Sequence, residues 1–199
     1  MNRQPAPEGA RGRGRPRSAE RDIEIREAAW KLIAEVGCSA LTFEGIAQSV
    51  GCSRATLYRR FATKGDLILH LLNETALSFA PQFAVDAPPR EKLLAHARTC
   101  VAMYKGSRGP ALIQIFAAAR YDDAIASAVR AHGALVIPHY YEPLHALAPE
   151  AGERDIRFAL HTLIGATIHH VAARGDLPSD RELERLVDAA IYIVQGGEL

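Results

Sequence analysis

Residues 37–67, GCSALTFEGIAQSVGCSRATLYRRFATKGDL, decide the fold of this 199-residue chain. Thr42 offers a side-chain oxygen to the first free N–H groups of a helix, and Phe43, Ile46, Ala47 and Val50 follow at helical spacing. Gly51 can take the positive φ that ends such a helix. Ser53 then stands as the cap of a second helix, running from Arg54 to about Phe61. Two helices joined by a turn of about 3–4 residues around a glycine make a helix-turn-helix, whose second helix enters the major groove of DNA. The stretch therefore predicts a DNA-binding chain.

The flanks extend the pattern. Ser18 is placed to cap a helix to about Val36, with Ile25, Ala28, Ala29, Leu32, Ile33 and Val36 on one apolar face and Gly37 as its stop. Before it, residues 1–17 are rich in Pro, Gly and Arg and read as a flexible basic arm. On the other side, Thr63 caps a helix from Lys64 toward Phe79, with Leu67, Ile68, Leu71, Leu72 and Ala76 buried. Pro81–Pro89 breaks the periodicity. Apolar-periodic segments follow at about 90–105, 110–119 and 122–147, then 153–173 and 180–195. Gly109-Pro110 divides the first two, and Pro138 is expected to kink or split the third. No strand-period segment competes, so the expected fold is all-α. It divides into the arm at 1–17, a three-helix helix-turn-helix domain at 18–65, and a helical domain at 66–199.

Composition narrows the function. No run of about 18 apolar residues is present, and the N-terminus lacks the apolar stretch of a secretory signal, which points to a cytoplasmic chain without a membrane span. Cys38, Cys52 and Cys100 are too few and too scattered for a disulfide framework or a zinc site, and read as small buried hydrophobes. Cys52 sits in the turn of the motif, where oxidation would disturb docking. The net charge of +1 hides an asymmetry: residues 1–65 hold 12 Lys and Arg against 7 acids, and the rest 12 against 16. The N-terminal part is suited to a polyanion and the remainder to another task.

Ala28-Ala29, Gly37, Thr42, Ile46-Ala47, Val50-Gly51, Ser53, Thr56-Leu57-Tyr58, Phe61, Lys64 and Leu67 together resemble the TetR family of bacterial transcriptional regulators. The resemblance covers about 50 residues at family spacing. Cys52 departs from it, standing where the family commonly has a small or apolar turn residue. So does Ala55, which replaces a frequent glycine and affects how closely the helix approaches DNA. The C-terminal part matches in length, helical character and an Arg-Gly-Asp-Leu-Pro turn before the last helix.

The candidate DNA-binding residues follow from the motif. Ser53, Arg54, Ala55 and Thr56 lie at the end of the recognition helix that points into the groove. Arg54 can pair with guanine O6 and N7, worth about 1–3 kcal/mol of base discrimination. Tyr58 shares the face of Arg54, and the resemblance implies that its hydroxyl bonds a backbone phosphate. Arg59 reads a base or clamps a phosphate. Thr42 and Lys64 stand at helix N-termini, where peptide N–H groups favour phosphate. Arg60 is equally a solvated charge or a contact, whereas Leu57, Phe61 and Trp30 read as packing. In the arm, Arg11, Arg13, Arg15 and Arg17 alternate with Gly and Pro and resemble a minor-groove AT-hook core, suited to the negative potential of a narrow A/T-rich groove.

For the other half, the resemblance implies a small effector bound inside the helical domain and a repressor released from a palindromic operator. Met103, Tyr104, Phe116, Tyr121, Tyr140, Phe158 and His161 are the candidate ligand-binding residues. The segment 156–171 is apolar over most of its circumference and needs partners on two sides, while 180–195 carries one stripe. Homodimerisation through these last two helices is therefore expected, with Ala159, Gly165 and Ala166 permitting close approach. No cofactor, no metal and no enzymatic activity are expected. All eight histidines fall after residue 65, which leaves a metal-responsive regulator as one alternative and a constitutive DNA-architectural protein as another. Motifs such as H-E-x-x-H and G-x-S-x-G are missing.

Overall fold

Side-chain caps set four of the helix starts among the described residues, at Thr42, Thr63, Asp122 and Ser179. In the computed structural model, which describes residues 16–106 and 108–197, α1 spans Pro16–Val36, α2 Phe43–Val50, α3 Arg54–Tyr58 and α4 Lys64–Ser78. They are followed by α5 Pro89–Met103, α6 Arg108–Ala118, α7 Asp123–Leu147, α8 Glu153–His169 and α9 Asp180–Val194, with a π-helical turn His170–Arg174 continuing α8. No strand occurs among the described residues, and none of their helices is long and apolar enough to cross a membrane. Thr42 accepts from the Gly45 amide at 3.1 Å, and Asp122 takes the Ala124 and Ile125 amides at 3.0 and 3.2 Å. Thr63 with Asp66, and Ser179 with Glu182, form reciprocal capping boxes.

Several boundaries differ from the sequence expectation. The first helix begins at Pro16 rather than Ser18, since proline is tolerated where a helix has no N–H bond to lose. The recognition helix is three residues shorter than expected. It ends at Tyr58 because the Arg60 amide turns back to Leu57 over three residues, at 2.8 Å, tightening the last turn. Helix α7 is not split: it runs through both Pro138 and Pro143 to Leu147. Proline removes one helical bond at each position, and packing against α4 along one half and α5 along the other holds the helix together.

Two apolar cores lie along the molecule. The first joins Ile25, Ala29, Ile33, Ile46 and Leu57 to Leu67, Ile68, Leu71 and Leu72 of α4, and reaches Leu112, Ile115 and Ile125 of α6 and α7. The second gathers Leu93 and Ala97 of α5, Tyr140 and Leu144 of α7, Ile156 and Leu160 of α8, and Val187 and Ala190 of α9. Helix α4 thus belongs to the core under the DNA-reading motif and packs along α7 as well. At Gly65 the approach is so close that a β-carbon would lie 2.9 Å from the Ala124 carbonyl oxygen. A side chain there would force α4 and α7 apart.

Candidate nucleic-acid interface and internal cavity

The turn between α2 and α3 is built as its residues dictate. Gly51 sits at φ 67°, in the left-handed region, and its amide reaches the Ala47 and Gln48 carbonyls. Leu57 is fully buried and Phe61 nearly so, anchoring α3 from beneath. Ser53 occupies the cap position of α3 with extended backbone, but its hydroxyl makes no bond to the helix amides. It pairs with Thr56 Oγ1 at 3.0 Å instead. Arg54, Ala55, Tyr58 and Arg59 are exposed around the same short helix, and Thr56 is half-buried. The Tyr58 ring, 60 % exposed, rests edge-on against Phe43 with centroids 5.0 Å apart, which leaves its hydroxyl outward-facing.

Electrostatic ties fix how this surface is carried. Arg54 stands 3.8 Å from Glu44, a pair open enough to water for a phosphate or guanine to replace the carboxylate. Arg60 is not a free cation. It pairs with Asp22 of α1 and donates to the Thr56 carbonyl at 3.0 Å, and so holds α3 to α1. The Arg21 guanidinium donates to the Val50 carbonyl at 2.9 Å, doing the same for α2. Arg26 pairs with Glu74 of α4 at 2.7 Å. Lys64, placed by sequence beside phosphate, pairs with Asp122 across to α7 at 3.0 Å. That bond and the two backbone amides hold the Asp122 carboxyl below its ordinary range. Thr42 is exposed at the start of α2. Arg11, Arg13 and Arg15 lie outside the described residues, as does the side chain of Arg17 at the start of α1.

A cavity of about 750 Å³ opens between α4, α5, α6, α7 and α8. Of the residues expected around a ligand, Met103, Tyr104, Phe116 and Tyr140 line it. Tyr121, Phe158 and His161 do not. Tyr121 is 86 % exposed in the turn after α6, and Phe158 and His161 lie on an exposed face of α8. Being large and aromatic is a weak guide, because the turn of each helix, not its composition, selects the inward residues.

Sequence reasoning missed the cavity's histidines. His96 and His132 are both buried there, and His139 and Arg130 join at the more open side. The His132 Nδ1 lies 2.9 Å from Asn73 Oδ1 on α4, and Tyr140 donates to the His96 carbonyl at 3.1 Å. Burial pushes both imidazoles below their ordinary pKa, with His139 adding to the effect at His96, so both rings are neutral at pH 7. Burial also pushes the Cys100 thiol up to about 11, keeping it protonated and unreactive. A usable signal was present: His96, Cys100 and Met103 recur at helical spacing within one helix. Among the described residues no group of three or more His, Cys, Asp or Glu is placed to hold a metal ion.

An exposed, basic second helix of a helix-turn-helix, carried on a helical domain with an internal cavity, defines an all-α helix-turn-helix architecture. Residues 25–71 match the family model of the bacterial regulatory proteins of the tetR family. The HTH-type transcriptional regulator YdeS of Bacillus subtilis is 23 % identical over 194 residues, spanning 92 % of this chain and 94 % of that protein. A TetR-family transcriptional regulator from Rhodococcus sp. superposes with a TM-score of 0.69 at 17 % identity, covering 88 % of this chain and 99 % of that one. A TetR transcription regulator from Haloarcula marismortui gives 0.63 at 19 % identity, covering 89 % and 98 %. Residues 25–71 thus carry the DNA-binding segment of the tetR-family model, on a fold that the chain shares with TetR-family regulators.

Proposed function

We propose that this chain is a cytoplasmic homodimeric repressor that leaves a near-palindromic operator when a small effector fills the cavity between α4, α5, α6, α7 and α8. One observation carries the reading: α4 begins six residues after the recognition helix and also walls the cavity. It is tied to α7 at both places, through Lys64 and Asp122 near the motif and through Asn73 and His132 beside the cavity. A ligand that moves α7 relative to α4 acts on both ties at once. The shift is limited to the ligand's difference in affinity between the two arrangements.

In the DNA-bound state Arg54 reads guanine, Ser53, Ala55 and Thr56 lie against base edges, and Tyr58, Arg59, Thr42 and Lys64 meet phosphate. For Lys64 this means exchanging Asp122 for a phosphate, so operator binding and the α4–α7 tie compete for one ammonium group. The arm places Arg11, Arg13, Arg15 and Arg17 in the flanking minor groove. Two copies meet through α8 and α9, where Phe158, Gly165 and Tyr192 are exposed on the outer faces. A two-fold axis then sets the two recognition helices one helical turn of DNA apart.

In vitro selection of bound DNA, with sedimentation of the protein, tests this reading. Two inverted half-sites and a dimer are expected, and a monomer without palindromic preference overturns the proposal. Deleting residues 1–17 is expected to weaken binding and to flatten its salt dependence, by about one unit of slope for each phosphate that the arm neutralises. Unchanged binding sinks the role given to the arm.

A further inference from the structure

The cavity walls are apolar over most of their extent, yet three polar side chains lie deep in them. His96, His132 and Tyr104 are 8 %, 5 % and 7 % exposed. Such groups ordinarily find a hydrogen-bond partner, because a buried unpaired donor or acceptor costs about 1–3 kcal/mol. The ring nitrogens of His96 and the hydroxyl of Tyr104 have none among the described residues, and no fully enclosed side-chain nitrogen or oxygen there is left unpaired. Their free polar atoms must therefore touch open space, and the open space that both side chains border is the cavity.

His132 supplies a directional clue. An amide oxygen only accepts, so His132 Nδ1 carries the proton given to Asn73 Oδ1. In the neutral ring Nε2 is then an acceptor with no donor. The neutral His96 ring offers one donor and one acceptor, and the Tyr104 hydroxyl offers both. A cavity with these groups calls for a ligand able to donate and accept at the same atom, which a hydroxyl does and an ether or ketone does not.

Charge argues in the same direction. No buried Lys, Arg, Asp or Glu lines the cavity, and its charged residues, Arg130 and Glu142, are exposed. Glu142 is in addition paired with Lys92 at 3.5 Å. An ionised ligand would lose its hydration with no buried countercharge to replace it, a cost far above that of a neutral hydroxyl.

We infer that the cavity takes a neutral, largely apolar ring compound carrying hydroxyl groups, held by His96, His132 and Tyr104. The inference rests on the reading of this cavity as the effector site. A volume of about 750 Å³ suits a ligand of two to four rings.

Titration calorimetry of the full chain with three matched probes tests it: 4,4′-dihydroxybiphenyl, its dimethyl ether and biphenyl-4,4′-dicarboxylate. The diol is expected to bind one per protomer, at least tenfold tighter than either of the others. His96→Phe and His132→Phe keep a ring in place and remove the hydrogen bond. Each is expected to weaken the diol at least fivefold and to leave the ether within twofold. Tyr104→Phe, which deletes one oxygen, provides the same comparison should a histidine variant fail to fold. Equal or tighter binding of the dicarboxylate, no binding of the diol, or diol binding indifferent to these substitutions overturns the inference. Operator binding is followed separately by fluorescence anisotropy. A diol that binds selectively without releasing DNA supports the ligand class and defeats the effector reading. Release of DNA by the dicarboxylate alone does the reverse.

Discussion

The DNA-reading end and the cavity end of this molecule are built from the same material, capped amphipathic helices, but they use it differently. Around α2 and α3 the functional groups point outward from short helices, and neighbours in the chain, Thr42 and Gly51, set both ends of α2. Around the cavity the lining residues come from five helices, and Asn73 and His132, 59 positions apart, meet beside it. A surface reader can be assembled locally, whereas an interior site exists only after long helices have packed. The first tolerates substitution at its reading positions and fails when its underpinning is removed. The second has its function and its packing in the same residues.

That contrast can be broken most forcefully beneath the recognition helix. Leu57→Ala removes a fully buried side chain from the first core and is expected to cost about 2–5 kcal/mol in urea unfolding, with operator binding abolished alongside. Stability within about 0.5 kcal/mol of the parent would show that α3 is not held from below. Arg54→Ala is the complementary probe. The side chain is exposed, so unfolding should be unchanged while operator binding weakens by about 1–3 kcal/mol, concentrated at one base pair of each half-site. Uniform weakening on every sequence would instead make Arg54 a phosphate contact.

Smaller effects sharpen the boundary between the two ends. Thr63→Ala removes half of the capping box at the start of α4, and a loss of about 1 kcal/mol is expected in thermal or urea unfolding. Asp122→Asn addresses the tie between α4 and α7. The Asp122 carboxyl is held low, first by Lys64, so the stability it adds is present above the ordinary aspartate pKa of about 3.9 and fades as pH falls below it. Urea midpoints of parent and variant should differ at pH 7 and converge in more acidic solution. A gap of constant size down to pH 3 would show that the difference is not electrostatic.

Legibility in the sequence followed the same division. The helix-turn-helix, the all-α class and most helix starts could be read because caps, glycine turns and apolar periodicity act over a few residues. The end of α3 falls three residues short of the sequence expectation, since the Arg60 amide turns back to Leu57 over three residues. Pro138 suggests a kink or a split, and α7, packed on α4 and α5, runs through it unsplit. Tyr121, Phe158 and His161 carry chemistry suited to a ligand, but Tyr121 falls in the turn after α6 and the phase of α8 sets Phe158 and His161 outside the cavity.

What residues 37–67 settle alone is a helix-turn-helix with a short basic second helix, because the cap at Thr42, the turn at Gly51 and the Ser53–Thr56 pair each act within about five positions along the chain. Packing decided the rest. It paired Lys64 with Asp122 and turned Arg60 from a surface charge into a strut. It also enclosed His96, His132 and Tyr104 in one cavity, since burial and partnership belong to the assembled helices and to no single stretch of them.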